Sequence, residues 1–410
     1  METKPIVLQK NGKKLYAAAL AAFFLGILFG ILTPGIFPKI AFLGEIYVRL
    51  LKLLVVPIMM AQIITGVSGA GDAFSRRLLR TVLLFICMFA VSFCLMAILT
   101  GILQPGKGSA IAQEAWEGEA ANATLSGFLT SIIPSNIFAS MSSGDILPCT
   151  LFSFLVGIAA AKLNAQKLIG GIGELSEVLT QVLAWSMYLT PFGVFSLMGS
   201  AVAEHGAKLI GTAAAYILLA WGGCLLVTLF VMILPVWLYA GVSPSSYIRK
   251  VCPIWLTTLS TCSSAATLPH TMRVCRDEFS VSEEIVGITA PLGCTIHMCG
   301  GAVSFCLLAM FSLQTSGMQL TVPLFLNMLF VATLINMAAP GIPGGGIAIG
   351  AAYLGIIGAP TGFIGVYSGI YRLLDMAYTS VNVTGDITAN ILLAEKERRE
   401  KLARKADKDI

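Results

Sequence analysis

Charge is scarce in this sequence. Asp, Glu, Lys and Arg make up 11 % of its 410 residues, against about 25 % in a soluble domain, so water is not the main solvent of the folded chain. The ten cysteines form no Cys-x-x-Cys pair, and most sit inside apolar runs, as Cys87, Cys94, Cys224 and Cys306 do. They read as small apolar filler, with no structural disulfide and no metal. The glycine-rich stretch Gly341–Gly346 lacks the Gly-Lys-Ser/Thr ending of a phosphate-binding loop. The net charge of +5 is spread over helix ends rather than gathered on one face, which argues against a nucleic-acid partner.

What is abundant is apolar: 57 % of the residues are hydrophobic. Leu15 to Pro34, Thr81 to Leu103, Leu209 to Leu238 and Val286 to Leu313 are long enough to cross a bilayer, where about 20 residues are needed. Leu147 to Ala161 is shorter. Lys4, Lys10, Lys13 and Lys14 precede the first span, but that span is long and has no small-residue cleavage site, so it reads as a retained helix. Arg76, Arg77, Arg80, Lys162, Lys167, Arg249 and Lys250 fall in alternate connections. The segment Lys107–Asn122 carries Glu114, Glu117 and Glu119 instead. The positive-inside rule then predicts a multi-pass protein of the plasma (bacterial inner) membrane, embedded in the lipid bilayer with both termini cytoplasmic.

Eight spans are predicted, near 15–34, 40–68, 78–103, 132–162, 172–200, 208–239, 285–313 and 362–393. The fourth is interrupted near Asp145 and Pro148, and the seventh by Gly293, Gly300 and Gly301. Two stretches do not fit as spans. Pro244 to Met272 reads as apolar pieces of about 13 and 6 residues around Ser260–Ala266, each too short to cross. Pro323 to Ile357 carries Ala339-Pro340-Gly341-Ile342-Pro343-Gly344-Gly345-Gly346 at its middle, which cannot continue a helix. Irregular backbone at membrane depth must be buried or line a cavity, and paired interrupted segments of this kind point to a transporter binding site.

The last span holds the chemistry. Asp375, Thr379, Asn382 and Asp386 fall at i, i+4, i+7 and i+11, one stripe of a helix. Ionisable residues inside a span are costly and mark function. The two carboxylates lie about 16 Å apart at the helical rise, so they serve two sites, one for an ammonium and one for a cation. That distance excludes a proton-sharing aspartyl protease, and the clustering of polar groups at hairpin tips argues against a channel pore. No enzyme activity is expected.

These residues carry a resemblance that covers nearly the whole chain in order. Asp375 to Asp386, ending Asn-Val-Thr-Gly-Asp, looks like the eighth helix of the glutamate-transporter family, the dicarboxylate/amino acid:cation symporters. Ser263-Ser264-Ala265-Ala266-Thr267-Leu268-Pro269 resembles the tip of that family's first re-entrant hairpin, and Gly341-Ile342-Pro343-Gly344 the tip of the second. Val48 to Pro57 resembles its second helix, and Pro134-Ser135-Asn136 with Leu147-Pro148 the start of its fourth. The resemblance implies an all-α membrane protein with eight transmembrane helices plus two re-entrant helical hairpins. It implies a homotrimer whose scaffold is residues 1–75 and 107–204, and a mobile transport unit of residues 76–106 and 205–395. Residues 396–410 would be a charged cytoplasmic tail. The unit would slide as an elevator, with the second hairpin as outer gate.

Carried over by residue, Asp375 would accept the substrate's ammonium. Asn382, Ser264 and the backbone of both tips (Ser263, Gly341, Pro343, Gly344) would hold its α-carboxylate, with Thr379 nearby. Asp386, Asn382 and Gly293 would bind one sodium ion, and the backbone near Thr295 and Met298 a second. These ions are co-transported; no other cofactor is implied. The family's arginine for a side-chain carboxylate is replaced by Tyr378, and its alternative place in the first hairpin by Cys262. A bidentate arginine is the strong carboxylate holder, so the expected substrate is a neutral amino acid, small or polar. The alternative is an acidic amino acid or dicarboxylate held by Arg372, with proton coupling. Where the family has Asn-Met-Asp-Gly-Thr, this chain has His297-Met298-Cys299-Gly300-Gly301. An ungapped third-helix register puts Phe85, Met88 and Phe89 at the remaining ligand positions of a deep sodium site, which implies its loss. His297 is then either a proton carrier or a neutral residue filling the space.

Overall fold

A computed structural model describes residues 8–68, 76–108, 133–143, 146–205, 208–337 and 344–406. The described residues are helical, with no strand among them. In chain order the helices are α1 (Leu8–Leu32), α2 (Phe37–Ser68), α3 (Arg76–Leu103), α4 (Ile137–Ser143), α5 (Ile146–Lys162), α6 (Gln166–Ser186), α7 (Thr190–His205), α8 (Lys208–Val227), α9 (Leu234–Ala240), α10 (Pro244–Thr261), α11 (Ser264–Arg273), α12 (Glu283–Ile296), α13 (Cys299–Thr315), α14 (Val322–Met337), α15 (Gly345–Ile356) and α16 (Ile364–Ala406). A π-helical turn, Thr228–Ile233, joins α8 to α9.

Three helical stretches among the described residues are apolar and long enough to cross a membrane: Leu79–Leu103, Gly211–Ala240 and Glu283–Thr315. Ala21–Leu32 and Pro34–Tyr47 make a fourth candidate, bent by 106°. The outer surface is apolar too: Ile102, Leu218 and Leu256 are 73, 73 and 72 % exposed, a pattern stable in lipid rather than water. Glu283–Thr315 is the exception, since it is almost wholly enclosed by protein.

Helices α1, α2, α5, α6 and α7 pack on one another, and α3 and α8 pack with α10 to α16 around the last helix. In the first group, small residues set the approach of α1 to α7. A Cβ on Gly26 would stand 2.9 Å from the Phe195 carbonyl oxygen, and one on Gly199 would collide with the ring of Phe37, itself 1 % exposed. Close backbone approach through small residues is the usual device where lipid removes the hydrophobic drive for helix association. Gly199→Ala is therefore expected to destabilise the protein by about 1–3 kcal/mol, the range for overpacking, read as a lower thermal midpoint in detergent.

The interrupted stretches become helix pairs. The first is longer than its apolar pieces suggested, with 18 residues in α10 and 10 in α11, because hydroxyl residues continue both helices. The turn is made by Cys262 in the left-handed region (φ 47°) and by Ser263, whose Oγ accepts from Ala266 N–H at 3.2 Å as a helix N-cap. A ladder of hydroxyls ties this pair to α16: Thr258 to Ser380 (2.7 Å), Trp255 Nε1–H to Thr384 (2.8 Å) and Tyr247 to Thr388 (2.7 Å). The second pair is α14 and α15, packed together. Its tip residues 338–343, including Gly341 and Pro343, lie outside the described residues. So does Asp145 at the break between α4 and α5. The seventh predicted span breaks at His297-Met298, between the glycines named from the sequence.

Candidate functional site

The last helix runs unbroken from Ile364 to Ala406, and its polar stripe faces inward. Asp375, Thr379, Asn382 and Asp386 are all buried, at 7, 3, 7 and 2 % exposure. At Asp375, Oδ2 accepts from Gly344 N–H at 3.1 Å, and Oδ1 from the Thr379 hydroxyl at 3.3 Å. Gly344 is left-handed (φ 78°) and caps α15, so the second helix pair begins directly on this carboxylate. The Tyr371 hydroxyl lies near Asp375 as well. It lies so close to Gly346 that a Cβ there would collide with it. The sequence reading missed Tyr371, although it extends the same stripe by i−4 from Asp375.

Across from Asp375 stands the first pair's tip. Ser263 and Ser264 are buried at the start of α11, and Cys262 precedes them. Arg372 sits one turn before Asp375 on α16. Its guanidinium interacts with both Asp375 and Cys262 and is sensed by Tyr47 of α2. Tyr378 turns elsewhere. Its ring is buried among Tyr216, Tyr367 and Ser304, on the side of α16 toward α8 and α13.

The second carboxylate is enclosed by the break in the seventh span. His297 Nδ1–H donates to Asp386 Oδ1 (3.0 Å), and the Cys299 thiol donates to His297 Nε2 (3.1 Å), the tautomer that satisfies both partners. Phe85 stacks on the imidazole with centroids 4.3 Å apart and planes 7° from parallel. Met88 and Phe89 are buried as well. Gly293 abuts Asp386, where a Cβ would collide with the carboxylate, and its carbonyl accepts His297 N–H at 2.9 Å. Asn382 Oδ1 accepts from Gly300 N–H at 2.7 Å. The Thr295 hydroxyl donates within its own helix, to the carbonyl of Leu292 (2.9 Å). The Met298 backbone is met by Asn336 of α14, whose side-chain amide, turned to suit its neighbours, pairs with Met298 O (3.1 Å) and N (3.3 Å). Asn336 was not legible beforehand, since a lone asparagine in an apolar run gives no partner.

Two buried carboxylates on one helix, facing two broken helix pairs and a broken span, define a helical membrane transporter with an enclosed polar site. The chain matches the sodium:dicarboxylate symporter family over residues 15–396, and it belongs to that family. It is therefore a cation-coupled symporter, of a family that carries its ions as co-transported substrates rather than as bound cofactors. It is 27 % identical over 396 residues to the proton/sodium-glutamate symport protein of Bacillus caldotenax, covering 91 % of this chain and 93 % of that protein. It is 29 % identical over 413 aligned positions to the C4-dicarboxylate transport protein of Rhizobium johnstonii, covering 95 and 92 %. It is 27 % identical over 372 residues to the proton/glutamate-aspartate symporter of Escherichia coli K12, covering 87 and 85 %.

Proposed function

We propose that this chain imports an acidic amino acid together with a cation. The observation that carries the reading is the place of Arg372, whose guanidinium lies within electrostatic range of Asp375 and near the Cys262 tip of the first helix pair. The absence of arginine at positions 378 and 262 favoured a neutral substrate. The alternative drew the guanidinium from Arg372 instead, and it is the reading that the relatives favour. The long side chain of Arg372, six residues earlier on the same helix, lies near the Cys262 tip, while Tyr378 turns toward α8 and α13. An acidic amino acid has three charges to place. Its ammonium suits Asp375, its side-chain carboxylate suits Arg372 as a fork donor, and its α-carboxylate suits Asn382 and the helix start at Ser263-Ser264. The glutamate and dicarboxylate relatives support an anionic substrate.

In this reading α10–α11 and α14–α15 are re-entrant hairpins, and the chain crosses the membrane eight times with both ends in the bacterial cytoplasm. Residues 1–75 and 107–204, in which α1 packs on α7 and α2 on α5, α6 and α7, would form a trimeric scaffold, and residues 76–106 and 205–395 a sliding unit that meets it where α7 packs on α16. The hydrogen bond from Gly344 to Asp375 supports a gating role for the second hairpin, since a substrate ammonium on Asp375 would displace it.

The test is uptake by purified protein in liposomes under inward sodium and proton gradients, with labelled aspartate, glutamate, succinate, serine and alanine. Aspartate or glutamate is expected to accumulate. Accumulation of serine or alanine with neither acidic amino acid would overturn the assignment to Arg372.

A further inference from the structure

Asp386 lies at the far end of the polar stripe, 2 % exposed. A carboxylate enclosed at membrane depth needs either a cation or hydrogen-bond donors. Here the chain supplies the donor itself. His297 is held on every side: Asp386 at Nδ1 (3.0 Å), Cys299 at Nε2 (3.1 Å) and the ring of Phe85 stacked at 4.3 Å. At its remaining edge α16 closes in, since a Cβ on Gly385 would stand 2.9 Å from His297 Cε1 and 3.3 Å from the Met232 methyl. The imidazole is 1 % exposed.

A hard cation in this place would need several oxygen ligands. Apart from Asp386 itself, the side chains around the imidazole are phenyl, thioether and thiol: Phe85, Met232 and Cys299. Two of the nearby oxygens are turned to other donors. The Gly293 carbonyl accepts His297 N–H at 2.9 Å, and Asn382 Oδ1 accepts Gly300 N–H at 2.7 Å. A sodium ion taking the place of the imidazole would have to expel it from Asp386 and would there meet phenyl, thioether and thiol groups instead of its hydration shell.

We infer that His297 permanently occupies the cation position beside Asp386. The carboxylate then anchors the break between α12 and α13 to α16, and the transported cation binds away from it. His297 is a positioning residue in this scheme: it holds the two half-helices on the last helix, as a bound ion would. The inference rests on the reading of the chain as a cation-coupled symporter, and it says which of two predicted ion positions is not used.

The chain has three histidines, so the imidazole can be watched directly. Protein labelled with ¹⁵N-histidine, carrying His205→Asn and His270→Asn, leaves His297 as the sole signal. Its ring nitrogens are recorded in lipid nanodiscs without sodium and at saturating sodium. The expected result is an unchanged pair of shifts, with Nδ1 hydrogen-bonded throughout. A sodium-dependent move of Nδ1 toward the shift of a free imidazole would overturn the inference. If the double variant does not fold, the wild type is compared with each single histidine variant, and the same signal is assigned by elimination. No substrate is needed, so this result stands independently of the uptake panel.

Discussion

Asp375→Asn is expected to abolish accumulation of aspartate or glutamate while leaving the protein folded. The side chain keeps its size, so packing against Gly344 and Thr379 survives, but the charge that receives an ammonium is gone. Removing one partner of a buried, hydrogen-bonded charge pair costs about 2–5 kcal/mol, roughly 30-fold to several-thousand-fold in affinity at about 1.4 kcal/mol per decade. The same variant separates two kinds of acidic substrate. An amino acid loses its ammonium partner, whereas a C4-dicarboxylate has no ammonium and loses only a nearby repulsion. Binding of aspartate and of succinate to purified Asp375→Asn, measured by calorimetry, reads this directly. Unchanged aspartate affinity would remove Asp375 from the substrate site.

Arg372→Gln is expected to produce the second largest effect, and a selective one. If the guanidinium holds the side-chain carboxylate, glutamine loses a charge-assisted pair worth about 1.5–3 kcal/mol, roughly a 10- to 150-fold loss for aspartate. Serine or alanine has no side-chain carboxylate and should bind the variant no worse than wild type. Arg372→Lys retains the charge but not the fork, and should fall between the two. The ratio of aspartate to alanine affinity across the three proteins is the quantity to measure. A ratio that stays constant would make Arg372 a purely structural partner of Asp375 and Cys262.

Much of this was legible before any coordinates. The scarcity of charge and the long apolar runs define a membrane chain because a bilayer penalises every unpaired polar group. The stripe from Asp375 to Asp386 is a statement about helical period alone, and the structure buries all four of its members. The break of the first helix pair was marked by its cluster of small polar residues, one of which, Ser263, caps α11. Even Tyr371 lay on the stripe and needed only one more step back along it.

Other features could not be read that way. Arg372 and Tyr378 are six residues apart on one helix, and sequence spacing does not say which one reaches the tip of the first helix pair. That depends on which helices flank α16, with α8 and α13 on the Tyr378 side and the Cys262 turn near Arg372. His297 had two readings because its partners come from distant segments: Asp386, 89 positions away, and Phe85 on α3. The sequence by itself determined the solvent, the family and the inward face of the last helix, because apolar runs, motif order and helical period are local properties. Only the tertiary structure decided where the guanidinium goes and what stands beside Asp386, because a buried polar side chain is defined by the partner that satisfies it, and that partner is set by how helices pack.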